Sequence, residues 1–221
     1  MKEFLSKYTA QIVLSSLIIL IFTSCIETEQ NIFYKNGWYH YDCRFSIDKS
    51  LGLLLGEEEG PFADIDEEAQ DLRGEFQNYG NEIKVDIRKI DDYTMDMAIS
   101  VYKWPTNQIL RDLLPKTEHT TLKIPLVTNL FAYMAIQEIF QDSQQNESDK
   151  AMGELLLSDC YWTIYVEENM IPYGASKAYI ADEEEWERTR VDCQWFGNRL
   201  VIKIPMAEFI DEANYTSLVI Y

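Results

Sequence analysis

Apolar and polar residues alternate along much of this chain, most clearly from position 83 to 101. Ile83, Val85 and Ile87 stand at every second residue, Asp91-Asp92 interrupts, and Tyr93, Met95, Met97, Ile99 and Val101 resume the pattern. A period of two places all of them on one face of a strand, so the segment predicts a hairpin with one buried side. Residues 189–196 and 199–204 predict a second hairpin, whose Gly197-Asn198 pair favours a tight primed turn. The stretch 32–48, rich in aromatic and β-branched residues, reads as one or two strands, and 161–166, 178–180 and 218–221 as others.

Helical spacing interrupts these strands. Ile65, Ala69, Leu72 and Phe76 recur along one helix face over 64–79, and Asp64 with Glu67 three residues on resembles a capping box. Residues 126–141 are almost wholly apolar, 146–159 read as a further helix, and 206–213 as a short one. Lys103-Trp104-Pro105, Lys123-Ile124-Pro125 and Lys203-Ile204-Pro205 each close a strand-like run and precede a helix-like one, since Pro opens a helix without losing a bond. The expected fold class is α+β: a mostly antiparallel sheet with helices packed on one face.

The first 25 residues carry an address. Lys2 and Lys7 precede the apolar stretch from Ile12 to Phe22, followed by Thr23-Ser24-Cys25 and then acids at Glu27 and Glu29. A basic start, a short apolar core and small residues before a break make an export signal. Cys25 directly after small residues resembles the lipobox of bacterial lipoprotein precursors, with Phe22 where that family usually has Leu. The resemblance covers residues 1–25. It implies a diacylglyceryl group on the Cys25 thiol and cleavage that makes Cys25 the first residue. The expected organisation is a signal peptide at 1–24, a tether at 25–31 and a single α+β domain at 32–221. The competing reading is an uncleaved membrane anchor, because 8–26 is a run of 19 uncharged residues. Both readings place the domain outside the cytoplasm, in the cell envelope, attached to a membrane.

Charge narrows the partners. The 221 residues carry 19 Lys and Arg against 38 Asp and Glu, so no basic face is expected to neutralise phosphates, and nucleic acid is not an expected partner. Removal of 1–24 takes two bases and one acid, leaving 17 against 37 and a still more acidic domain. Attachment to a membrane then depends on the lipid and not on a basic patch.

Candidate chemistry is sparse. Ser46-Ile47-Asp48-Lys49 fits the S-x-x-K pattern of penicillin-binding proteins, but the S-D-N and K-T-G elements of those families are absent. The histidines are His40 and His119. His40 and Cys43 point to opposite faces of a strand, which makes a poor metal pair, and His119 reads as an exposed turn residue. Asp64, Asp66, Glu68 and Glu75 fall at positions 1, 3, 5 and 12 of a calcium-loop register, yet Ala69 stands where that loop needs Gly. They are weak metal candidates, and no cofactor is expected. Cys43, Cys160 and Cys193 sit in apolar runs and read as buried free thiols. Among the aromatics, Trp38 and His40 in an aromatic run and Trp186 amid charges are the candidate binding residues.

The expected function is therefore a lipid-anchored, extracytoplasmic binding protein. Its partner would be a protein or a glycan: an acidic inhibitor or immunity-type protein would capture a basic partner, and a receptor would hold glycan or peptide on aromatics. The alternative is a cell-envelope hydrolase working with paired carboxylates.

Overall fold

Asn36 and Gly37 turn the chain with φ of 52° and 86°, and this left-handed pair closes a hairpin between β1 (Ile26–Lys35) and β2 (Trp38–Ile47). The strands pair from Ile26–Ile47 to Lys35–Trp38. The computed structural model describes residues 26–49, 62–63, 70, 73–74, 76, 78–126, 157, 160–182, 188–209 and 215–221. After a 3-10 turn at Gly80–Glu82 come β3 (Ile83–Asp91) and β4 (Thr94–Tyr102), the hairpin that the alternation predicts. Met95, Met97, Ile99 and Val101 all point into the core.

Beyond β4 lie a single helical turn α1 (Gln108–Asp112), β5 (Lys116–Glu118) and β6 (Thr121–Pro125). Then come β7 (Tyr161–Glu167), β8 (Ala178–Ala181), β9 (Arg188–Phe196), β10 (Arg199–Pro205) and β11 (Ser217–Ile220). Gly197, at φ 62°, opens the β9–β10 turn as a primed turn requires. The eleven strands form one sheet in the order β3-β4-β2-β1-β7-β10-β9-β8-β11-β6-β5. Every pairing is antiparallel except β1 with β7.

β9 makes the corner. Its first half, from Arg188 to Val191, pairs with β8, and its second half, from Asp192 to Phe196, pairs with β10. One strand thus serves two differently directed halves, and the sheet curls into half a barrel. Trp162, Tyr41, Ile32, Ile164 and Ile202 are fully buried on the inner face. The Tyr41 hydroxyl donates to the Leu113 carbonyl at 2.7 Å, tying β2 to the segment behind α1.

The α+β expectation is wrong: strands make up 59% of the described residues, and their one α-helix has fewer than seven. The Lys-x-Pro signals at Pro105 and Pro205 mark the right places: the first introduces only the single turn α1, and the second a 3-10 turn at Met206–Phe209, after which 210–214 lie outside the described residues. In α1 only Leu110 is buried, which anchors one turn and gives no reason for a second. The helices expected over 64–79, 126–141 and 146–159 lie largely outside the described residues. Among the described residues no helix is long and apolar enough to cross a membrane.

The tether is corrected too, because residues 26–31 run in β1, inside the sheet and paired on both sides. Their alternation was masked by polar residues on the inner face: Thr28 and Gln30 are 0% and 2% exposed. The expected burial holds for Cys43 and Cys160, whereas Cys193 is half-exposed.

Candidate functional site

The inner face of β1–β4 is core, so the opposite face carries what the strands offer to solvent. Register brings four rows together there. Lys35, Trp38 and Tyr102 form the row nearest the Asn36-Gly37 turn, and Phe33, His40, Ser100 and Lys84 form the next. Asn31, Asp42, Ala98 and Asp86 make the third, and Glu29, Arg44, Asp96 and Arg88 the fourth. His40 and Cys43 do lie on opposite faces, since Cys43 is buried in the core and His40 faces outward.

The upper rows make an aromatic pad. Phe33 stacks on His40 with centroids 4.6 Å apart and planes within 10°, and a 2.9 Å hydrogen bond joins His40 Nδ1 to the Ser100 hydroxyl. Trp38 packs on Tyr102 at 5.6 Å, and Tyr102 meets Trp104 edge-on at 6.2 Å. Lys84 Nζ lies 4.3 Å from the centre of the Trp38 ring, and Lys103 Nζ lies 4.9 Å from that of Trp104. Such cation–π contacts hold the lysines along the rings while leaving ring area open. Trp104 itself is 65% exposed.

Glu82 fixes the loop that carries Trp104. Its carboxylate accepts the Thr106 N–H with both oxygens at 2.9 Å, and also the Asn107 N–H at 3.4 Å. These backbone bonds hold the Glu82 carboxyl below its ordinary range.

Lower rows are polar. Arg44 grips Asp96 with two bonds, at 2.7 and 3.1 Å, and Arg88 adds a third at 2.9 Å. These bonds hold the Asp96 carboxyl below the usual range, whereas burial pushes Asp42 up against the opposing charge of His40. Two shallow depressions, about 570 Å³ and 370 Å³, meet at Asn31 and Asp42. The larger reaches Tyr165 and Arg199, and the smaller reaches Arg44 and Asp96. Two carboxylates with pKa values pushed apart are a feature of acid–base pairs. Here, however, the ionised partner spends both oxygens on arginines, so Asp42 and Asp96 are not the free pair that glycoside hydrolysis uses.

The strip is also nearly balanced in charge. On β1–β4 it presents Glu27, Glu29, Asp42, Asp86 and Asp96 against Lys35, Arg44, Lys84 and Arg88, in a chain of net charge −19. The excess acid lies elsewhere.

Trp38 and His40, two of the candidate binding residues, lie in adjacent rows of this outer face. Cys25, Trp186, Asp64, Asp66, Glu68 and Glu75 lie outside the described residues. His119 is an exposed turn residue with φ 54°. The sequence reading missed Phe33, Tyr102, Trp104 and Lys84. The Asn36-Gly37 pair was the available signal, because a two-residue turn fixes the register that sets Phe33 against His40. Among the described residues no cluster of His, Cys, Asp and Glu is arranged to hold a metal. The chain matches no protein-family model, no curated protein and no solved structure at a significant level.

Proposed function

We propose that this protein is a lipid-anchored, extracytoplasmic receptor that binds glycan along the outer face of β1–β4. The observation that carries the reading is the continuous strip from the Trp38–Tyr102–Trp104 pad to the polar depressions at Asn31 and Asp42. Sugars offer apolar C–H faces and hydroxyl edges. Exposed rings match the first, and fixed amides, carboxylates and guanidinium groups match the second. The balanced charge of the strip favours this partner over the basic protein that an acidic inhibitor would capture.

The test is titration of the folded domain with neutral and uronic oligosaccharides, read by calorimetry and tryptophan fluorescence. At least one saccharide is expected to bind and to shift the emission, and Trp104→Ala is expected to weaken that binding at least tenfold. Binding that survives Trp104→Ala unchanged, or a panel with no ligand in it, overturns the proposal. Mass spectrometry of the protein from its native envelope tests the anchor, through a diacylglyceryl mass on an N-terminal Cys25.

A further inference from the structure

We infer that the end of the sheet at Ile26 rests directly on the phospholipid headgroups, so that the aromatic pad is held upright at the far end. The inference relies on lipidation at Cys25 and goes beyond it. β1 begins at Ile26, the residue after Cys25, and consecutive Cα atoms are about 3.8 Å apart. A Cys25 thiol carrying diacylglyceryl at the bilayer surface therefore leaves no slack before a strand that is locked inside the sheet between β2 and β7. The strand rises about 3.3 Å per residue, which sets Lys35 and the Asn36-Gly37 turn about 30 Å from Ile26 along its axis.

Residues at the Ile26 end suit the position. Ile47 faces Ile26 across the hairpin, and its N–H donates to the Tyr93 carbonyl at 2.9 Å, which brings the β3–β4 turn alongside. Lys49 Nζ stands 5.8 Å from the Tyr93 ring centre, and Lys203 Nζ stands 5.8 Å from that of Tyr161. Tyr161 is 39% exposed and Ile90, at the end of β3, is 47% exposed. Tyrosine with lysine is the pairing that sits well at a membrane–water boundary, ring toward the acyl region and ammonium toward phosphate. Acids at this end, Glu27, Asp48, Asp91 and Asp92, argue for a zwitterionic layer over a strongly anionic one, although Lys89 already neutralises Asp92 at 2.7 Å.

The experiment uses the lipidated full-length protein in phosphatidylcholine vesicles containing a headgroup-quencher lipid. In a Cys193→Ser background, which removes the half-exposed thiol, a fluorophore is attached through Lys49→Cys or Lys35→Cys. Strong quenching at position 49 and little at position 35 is expected. Ten Gly/Ser residues inserted between Cys25 and Ile26 should remove the difference. Equal quenching at both sites, or a difference that the insert leaves untouched, overturns the upright orientation. Flotation of the vesicles is read separately: protein that does not float overturns the anchor, and with it this inference.

Discussion

Tyr41→Phe removes one oxygen from the fully buried Tyr41 and leaves the Leu113 carbonyl without its 2.7 Å donor. This bond joins β2, which carries Trp38 and His40, to the segment after α1, and so helps to position the strand and the Trp104 loop relative to each other. Loss of a buried hydrogen bond with its acceptor left behind costs about 1–2 kcal/mol. At an m-value of about 3 kcal/mol/M the urea midpoint should fall by roughly 0.3–0.7 M. The melting temperature should fall by roughly 2–8 °C. Tyr165→Phe is the matched control. Its hydroxyl donates to Glu29 at a longer 3.3 Å from a half-exposed site, so its cost should stay below about 0.5 kcal/mol. Spectrophotometric titration gives a second readout. Burial pushes the Tyr41 phenol far above its ordinary value of 10, so its neutral form stabilises the fold fully below pH 10, and that stability is lost as pH rises further. Equal midpoints for Tyr41→Phe and Tyr165→Phe would refute the reasoning.

Glu82 supplies a pH test: because its carboxyl is lowered in the fold, its contribution is complete above the ordinary value of 4.5 and is lost as pH falls below it. Trp104 fluorescence should therefore change on acidification in the native protein, and this change should be absent in Glu82→Gln. Leu110→Ala, at the one buried position of α1, should cost about 2–4 kcal/mol, and Ile109→Ala, 57% exposed, less than about 0.5, in paired urea melts. Gly37→Ala should cost about 1 kcal/mol through its φ of 86° alone, since the nearest atom to an added Cβ, on Tyr102, is 3.8 Å away. Asn36→Gly, which relieves a left-handed residue, should be nearly neutral in the same assay.

The strands whose buried face is apolar were legible in the chain, because a period of two is a local property. Met95, Met97, Ile99 and Val101 announce β4, and Gly197 announces the turn after β9. The first half of β1 was not legible, since Thr28 and Gln30 take inward places that only the closed sheet assigns to them. The helical signal after Pro105 misled for a related reason. A Pro and one buried Leu suffice for a single turn, whereas helix length depends on how much apolar surface the neighbouring strands leave to cover. The site lay further still from local reading. Trp38 and His40 stood out as types, but Lys84 came over Trp38 and Tyr102 beside it only through pairings spanning some sixty residues of chain. Sequence determines which face of each strand can be buried. Register, set by turns and completed by long-range hydrogen bonds, decides which outward residues become neighbours, and tertiary structure alone fixes that.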